Sequence, residues 1–340
     1  MKRILSAALF LVLILVSCDT GKREAFGSYY NIFVLTGGPH SDQMDKLIER
    51  HLQKTIATPG LEDVFRFFFV DSTTFLTNLE RRNLVVATTI DAEGFAGDLA
   101  RQMLSDEAIE RVRKGGSNLF VKEDVWAEGQ TFGLIVGTDA EMLAWAVETE
   151  GSNLANIFDD RITELLASGL FADRYRYDER KLEEKIENEY GFHVGVPTGF
   201  VWEKGSPADD FLWLRHLAPE KWLFVHRMPL DQAYAVTGST FAEFRDSICA
   251  IWYEGDIVDS LMTIEEEFVS NGLPGWRING LWANTEAVLG GPFQTYVLDD
   301  STAGIRYTVD GAIFAPGVKK ERFFRHVEVM LSSFRPLAQY

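Results

Sequence analysis

Apolar residues follow two patterns along this chain: short runs typical of strands, and longer stretches in which they recur every three or four positions, as on one face of a helix. The runs predict strands over residues 29–36, 64–70, 84–89, 119–127, 130–137, 192–196, 211–216, 222–227, 277–283, 293–298 and 305–314. The stretches predict helices over residues 42–53, 74–82, 98–114, 139–170 (with a break at 151–153), 178–190, 240–252, 257–268 and 318–334. Clusters of glycine and proline predict turns at 37–40 and 290–292, and the aromatic run 64–70 is typical of a central strand.

Hairpin-like strands beside amphipathic helices indicate an α+β fold with mostly antiparallel sheets. The alternation of strand and helix is not regular enough to predict a parallel, doubly wound sheet. The pattern of apolar and polar residues changes near residues 175–190, which suggests two similar-sized halves, residues 29–177 and 178–340. One continuous domain is the alternative.

The first eighteen residues have the pattern of a secretory signal peptide: Lys2 and Arg3, then an apolar run, then small residues. The last four, Leu15-Val16-Ser17-Cys18, resemble the lipobox of bacterial lipoproteins. This resemblance implies cleavage of residues 1–17, lipidation of Cys18, and a short lipidated tether over 18–28. The alternatives are an ordinary signal with a chance cysteine, or a membrane helix, for which the apolar run is short of the usual ~20 residues.

The chain is strongly acidic, with 51 Asp and Glu against 33 Lys and Arg, for a formal charge of −18. This charge argues against binding nucleic acid or an anionic membrane surface through basic side chains. We therefore expect acyl chains to hold the protein at a membrane of the cell envelope, outer or inner, on its extracytoplasmic side. The second cysteine, Cys249, lies among apolar residues at helical spacing, and we expect it to be a buried, inert thiol.

No short catalytic motif occurs in the chain. It lacks histidine pairs at metal-ligand spacing, a Gly-x-Ser-x-Gly elbow and a phosphate-binding glycine loop, so we predict no metal and no cofactor. The acidic clusters at 159–160, 209–210, 265–267 and 299–300 are expected on the solvated surface. A site assembled from distant residues stays open.

Tryptophan is the enrichment that suggests binding, since six of eight lie between residues 202 and 282. Strand alternation places Phe211, Trp213 and Arg215 on one face, and it similarly groups Trp222, Phe224 and His226. Aromatic faces beside arginine or histidine can stack on sugar rings or hold a peptide. The candidate ligand-binding residues are Trp213, Arg215, Trp222, His226, Trp276 and Trp282. The other interpretation is core packing under helices, and we expect most of these tryptophans to be buried, with one or two exposed.

Several phrases, in this order and spacing, resemble an uncharacterised domain-of-unknown-function family of predicted lipoproteins of Gram-negative bacteria. They are Asp124-Val125-Trp126-Ala127 with Gln130, Phe211-Leu212-Trp213-Leu214-Arg215, Arg245-Asp246-Ser247, Gly280-Leu281-Trp282, Gly290-Gly291-Pro292-Phe293 and Gly311-Ala312-Ile313-Phe314-Ala315-Pro316. The resemblance implies no activity, cofactor or catalytic residue. A second resemblance, carried by Val196-Pro197 and Gly199-Phe200 after a strand, is to the extrinsic-subunit fold of photosystem II and its bacterial lipoprotein relatives. It implies an accessory or binding module.

The sequence thus predicts a lipid-anchored envelope lipoprotein, most simply a non-enzymatic binding or accessory module. Its expected partners are the membrane, through the acyl chains, and an envelope protein or glycan. The alternative is a hydrolase that acts on an envelope polymer, either glycan or peptide.

Overall fold

A computed structural model describes residues 21–37, 41–57, 60–172, 176–252, 255–284 and 286–337. The chain forms two compact units. The first comprises the chain up to Gln53 together with Phe65–Phe158, and the second comprises Lys54–Val64 and Asp159–Tyr340. The sequence placed the change between halves after residue 177. The signal peptide, Cys18, and the turn residues 38–40 lie outside the described residues.

The N-terminal elements alternate between strand and helix. In chain order they are β1 (Asn31–Thr36), α1 (Ser41–Leu52), β2 (Thr55–Ala57), β3 (Leu61–Asp63), β4 (Arg66–Phe69), α2 (Ser72–Thr77), β5 (Asn83–Thr89), α3 (Phe95–Met103), α4 (Asp106–Arg113), β6 (Leu119–Glu123), β7 (Thr131–Gly137) and α5 (Ala140–Leu170). The small β2–β3 hairpin belongs to the second unit.

The first unit is built on a five-stranded sheet in the order β4-β1-β5-β7-β6. β1 pairs in parallel with β4 and β5, and β5 pairs in parallel with β7; only the β6–β7 pair is antiparallel. This largely parallel sheet was not predicted. Its central strands β5 and β7 are buried almost throughout, as expected for strands covered on both faces. The aromatic strand β4, expected to be central, lies at the edge.

Three helix predictions in the first unit were wrong in detail. The helix expected over 74–82 is the short α2, which ends at Thr77. The single helix expected over 98–114 is two helices, because the backbone is extended at Leu104 and Ser105 caps the second helix by accepting a hydrogen bond from the Ala108 amide. The break expected at 151–153 is absent, since α5 is continuous. A Cβ at Gly151 would lie 2.8 Å from Cβ of His51, so this glycine serves the close approach of two helices.

The second unit is dominated by antiparallel strands. Its remaining elements are α6 (Tyr177–Tyr190), β8 (Phe192–His193), β9 (Val201–Ser206), β10 (Phe211–Leu217), β11 (Glu220–Pro229), α7 (Gly238–Trp252), β12 (Ile257–Val258), β13 (Ile264–Ser270), β14 (Leu273–Asn284), β15 (Leu289–Asp300), β16 (Ile305–Phe314), α8 (Glu321–Ser333) and β17 (Arg335–Pro336). The large sheet has the order β12-β14-β15-β16-β11-β10-β9, with β13 also paired to β14. The α+β class with mostly antiparallel sheets is therefore confirmed.

Both faces of the large sheet are covered by helices. On one face, α6 and α8 pack against alternate residues such as Leu212 and Leu223. On the other face, α7 packs against the intervening residues, such as Phe211 and Phe224. The strands β10 and β11 thus contribute side chains to two separate cores. The core covered by α7 contains Trp213, Trp222 and Trp282.

Two local predictions in the second unit were wrong. Residues 257–268, expected to be helical, form β12, a short 3-10 turn at Ser260–Met262 and most of β13. Gly290, Gly291 and Pro292, expected in a turn, lie inside β15. A Cβ on Gly291 would be 2.1 Å from the carbonyl oxygen of Ile313, so the close approach of the next strand requires glycine there.

Some charges expected on the surface are buried in ion pairs. Asp159 is only 8% exposed, and its Oδ2 lies 2.5 Å from Nζ of Lys54. Arg325, on the last helix, is 5% exposed and pairs with Asp159, Glu321 and Glu328. These charges are buried together because each offsets the desolvation of its partners.

Candidate functional site

The second unit contains a pocket of about 200 Å³ with tryptophan walls and a charged rim, which we call the aromatic pocket. It is lined by Glu203, Lys204, Trp213, Arg215, Glu220, Trp222, Trp252, Asp256, Trp282, Asn284, Ala287, Leu289 and Phe314. Its residues come from β9, β10, β11, the end of α7, and β14 to β16. The pocket is therefore assembled from separate parts of the chain.

Strand alternation and register bring its central side chains together. Trp213 and Arg215 lie two residues apart on β10 and so share a face. Arg215 is directly opposite Trp222 on β11. Trp282 on β14 reaches the same place from across the sheet, and Trp252 closes the pocket at the last residue of α7.

The indole rings form a packed wall. The ring centroids of Trp222 and Trp282 are 5.1 Å apart at an interplanar angle of 59°, and Nε1 of Trp282 donates to the Ile313 carbonyl at 3.3 Å. The Trp252 ring stacks on Phe211 at 4.4 Å and 12°. Such packed rings present fixed apolar faces with little loss of side-chain entropy on binding.

The charged rim is organised around Arg215. Its guanidinium lies 2.6 Å from Glu220 Oε1 and 3.6 Å from Glu203 Oε1. Nζ of Lys204 donates to the Trp252 carbonyl at 3.3 Å and lies 5.5 Å from the centroid of the Trp213 ring. The rim therefore offers both hydrogen-bond donors and acceptors beside the aromatic wall.

A second polar pair borders the pocket. Nδ2 of Asn284 donates to Oδ1 of Asp256 at 2.9 Å, and both residues are buried. This amide–carboxylate pair and the Arg215 ion pairs hold the polar groups in fixed positions. The arrangement suits recognition of a ligand that combines an apolar face with hydroxyl or amide groups.

The structure separates the six residues proposed from sequence. Four of them, Trp213, Arg215, Trp222 and Trp282, line the aromatic pocket. Trp276 lies on a different groove, also bordered by Glu267 and Asp299, with Arg306 5.5 Å from its ring. His226 packs edge-on against Phe244, and its burial lowers its pKa.

The exposure of the tryptophans agrees with core packing as well as with a pocket wall. Trp213, Trp222 and Trp282 are 7%, 5% and 3% exposed. Trp202 and Trp276 are half-buried. These three residues belong both to the core of the second unit and to the wall of the pocket.

Several residues of the pocket were not predicted from the sequence, because the sequence patterns around them are weak. Glu203 and Lys204 lie on β9, where a register shift opposite Trp213 and Leu214 hides the alternation. Asp256 lies between the helices expected over 240–252 and 257–268, and was assigned to neither. Trp252 was counted among the clustered tryptophans, but its position at the end of α7 gave no reason to group it with Trp213.

Cys249 lies in α7 and is buried, as expected from the sequence. Burial raises the pKa of its thiol to about 12. A thiol with so high a pKa is a poor nucleophile at neutral pH. In the described part of the chain, no three His, Cys, Asp or Glu side chains are grouped in a way that could hold a metal ion.

The first unit has a pocket of about 450 Å³ at the carboxyl ends of β1 and β4, with Asp45, Asp71 and Glu93 among its lining residues. Asp45 accepts a hydrogen bond from Oγ1 of Thr36 at 2.8 Å, and Asp71 caps α2 through the Thr74 amide at 2.7 Å. Two of its three carboxylates therefore already serve local structure. The aromatic pocket is the better candidate site.

A comparison with known protein families finds a match within the second unit. Residues 179–333 match the family described as "Domain of unknown function (DUF4837)". This match confirms the resemblance to a domain-of-unknown-function family, and it covers nearly all of the second unit's large sheet. No curated protein sequence matches the chain.

Three solved structures share a weak likeness with this chain. A protein of Bacteroides thetaiotaomicron VPI-5482 has 7% identity and a TM-score of 0.27, with 44% of this chain and 46% of that one covered. The Ran-binding protein Mog1p of Saccharomyces cerevisiae has 11% identity and a TM-score of 0.29, with coverage of 43% and 90%. LpqN of Mycobacterium tuberculosis, involved in cell envelope biogenesis, has 8% identity and a TM-score of 0.26, with coverage of 43% and 83%. This chain thus spans about half of the first of these proteins, and likenesses at this level carry no argument about function.

Among the helices in the described ranges, none is both long and apolar enough to cross a membrane.

Proposed function

We propose that this protein is a lipid-anchored, non-enzymatic binding module of the cell envelope, and that its aromatic pocket binds a sugar unit of an envelope glycan. The observation that carries this proposal is the convergence of four indole rings and an arginine–carboxylate rim on one pocket. Carbon-bound hydrogens of a sugar ring stack on indole faces, while its hydroxyls need donors and acceptors at the rim.

The size of the pocket supports a small ligand group. Its volume of about 200 Å³ is below the ~300–1,000 Å³ typical of sites that enclose drug-sized ligands. One sugar ring, with the rest of the polymer outside, is the natural match. The negative charge of the chain favours a neutral or amide-bearing sugar over a polyanionic glycan.

The hydrolase alternative has one observation in its favour, which is the presence of Glu203 and Glu220 at the same rim. Glycoside hydrolysis uses two carboxylates that flank the bond to be cleaved. Here the guanidinium of Arg215 lies between them and pairs most closely with Glu220. This arrangement favours a binding rim over an acid–base pair.

The binding proposal predicts that chito-oligosaccharides or soluble peptidoglycan fragments change the intrinsic tryptophan fluorescence saturably. Replacing Arg215 by Gln or Trp252 by Ala should weaken that binding by about tenfold, the usual loss for one important ligand contact. The matched control is Trp145→Ala, because Trp145 is 48% exposed in the first unit. The control should leave binding unchanged.

Two results would contradict the binding proposal. One is an absence of saturable fluorescence change with every glycan in the panel. The other is release of reducing ends from the glycan by the wild-type protein, with loss of this activity in Glu203→Gln or Glu220→Gln, which would establish the hydrolase.

The anchor part of the proposal rests on the lipobox-like Leu15-Val16-Ser17-Cys18. Replacing Cys18 by Ala should abolish incorporation of labelled fatty acid and move the protein out of the membrane fraction. The matched control is Ser17→Ala, which keeps a small residue before the cysteine and should stay labelled. If Cys18→Ala remained labelled and membrane-bound, the lipoprotein assignment would be wrong.

A further inference from the structure

Basic side chains with very little exposure are rare among the described residues, and most of them are neutralised. Arg176, Arg245, Arg306 and Arg325 are each at most 5% exposed. Each pairs with a carboxylate: Glu183, Asp310, Asp299 and Asp159, respectively. Lys221 is also 5% exposed, but no carboxylate of the described residues lies within ion-pair distance of it.

The surroundings of Lys221 are basic as well. His216 is its direct cross-strand partner in the β10–β11 hairpin, and both side chains point to the face covered by α8, because they alternate in step with Leu214 and Leu223. Arg322 and His326 lie one turn apart on α8, which packs on β11. The Phe200 ring, 5.5 Å from Nζ of Lys221, borders the group.

The electrostatics show that these four side chains act on one another. Burial and the charge of Arg322 lower the pKa of Lys221 to about 8. Burial, together with Lys221, Arg322 and His216, lowers the pKa of His326 to about 4. Burial lowers the pKa of His216. A hydrogen bond to the Pro219 carbonyl opposes this shift, and the charge of Lys221 adds to it. The chain has 51 acidic residues, yet none of those that the structure describes forms an ion pair with these four basic groups. This arrangement favours a bound anion.

We propose that Lys221, His216, Arg322 and His326 form a binding site for an oxyanion, the phosphate or carboxylate group of a small ligand. The nearly buried ammonium group of Lys221 is costly to leave without a counter-charge. A bound oxyanion would accept charge-assisted hydrogen bonds from Lys221 and Arg322. It would also favour the protonated forms of both histidines. The site is independent of the aromatic pocket, because it lies on the opposite face of the sheet.

The test is a titration of the purified full chain with inorganic phosphate, and in a second arm with acetate, at constant ionic strength set by chloride. Ring resonances of the histidines report binding. The resonances of His216 and His326 should shift saturably, and their pKa values should rise. Those of His51, in the first unit, should not move. Saturation by phosphate alone identifies a phosphate ligand, and saturation by acetate alone identifies a carboxylate.

Variants then locate the site. Lys221→Met should weaken anion binding by about tenfold or more, the usual loss for a charge-assisted hydrogen bond. If that variant fails to fold, the exposed Arg322→Gln serves instead. Lys122→Met, in the first unit, is the control and should bind normally. The proposal is overturned if neither anion gives a saturable shift of His216 and His326, or if the folded Lys221 or Arg322 variants bind as the wild type does.

Discussion

Deletion of the chain from Val318 onward should leave a second unit that does not fold. The deletion removes α8, whose apolar side chains Val327, Met330 and Leu331 are fully buried, as is Phe334 just after it. Burial of each contributes about 1.5–3 kcal/mol. Together they amount to a large part of the ~5–15 kcal/mol that stabilises a typical domain. The deletion also removes Arg325, which leaves the buried Asp159 without its closest ion pair.

The measurement is the solubility, proteolytic resistance and thermal unfolding of the truncated chain beside the full chain. A matched pair of point substitutions on the same helix separates packing from a general effect of truncation. Met330→Ala should cost about 2–5 kcal/mol because it leaves a cavity. The exposed Arg322→Ala should cost less than about 0.5 kcal/mol. A truncated chain that melts at the wild-type temperature would refute the prediction.

The closing helix was predictable because its signal is local. Apolar residues recur every three or four positions over 318–334, and the structure has the helix at Glu321–Ser333. The burial of Arg325 on this helix depends on its pairing with Asp159, which is far away in sequence. Local spacing says which face of a helix is apolar, but not which charges will meet a distant partner.

The errors at glycine have the same cause. Gly151 was expected to break a helix and Gly291 to lie in a turn, because glycine often interrupts helices and strands. In the structure each allows a close approach, to a helix in one case and to a neighbouring strand in the other. The chain that makes the approach is distant in sequence, so no local pattern distinguishes the two uses.

The candidate site was partly predictable from strand alternation. Strand alternation correctly placed Trp213 and Arg215 on one face, and the structure adds that Trp222 of the next strand lies opposite Arg215. Alternation alone could not exclude Trp276, which has the same parity as Trp282 on β14. Six residues of strand span about 20 Å at ~3.3 Å per residue, so these two tryptophans lie on different pockets.

The Arg245–Asp310 pair connects α7 to the large sheet and is the second interaction with a large expected effect. Arg245 is 1% exposed and Asp310 is fully buried. Nε of Arg245 lies 2.8 Å from Oδ2 of Asp310, and a second guanidinium nitrogen lies 3.1 Å from Oδ1. Oγ1 of Thr295 donates to Oδ2 at 2.6 Å, and the guanidinium lies 4.4 Å from the centroid of the Phe293 ring.

Replacing Asp310 by Ala should lower the free energy of unfolding by about 3–5 kcal/mol, because a buried guanidinium loses its counter-charge. The double variant Arg245→Met, Asp310→Leu should lose much less than the sum of the two single variants, since apolar residues of similar size can replace a buried ion pair. Urea unfolding of all four proteins measures the coupling. An additive double variant, or a loss below about 1 kcal/mol for Asp310→Ala, would show that the pair does not stabilise the fold.

Because Trp252 lies at the end of the same helix, the double variant also tests whether the position of α7 sets the shape of the aromatic pocket. A stable double variant should retain glycan-induced fluorescence changes only if α7 stays in place.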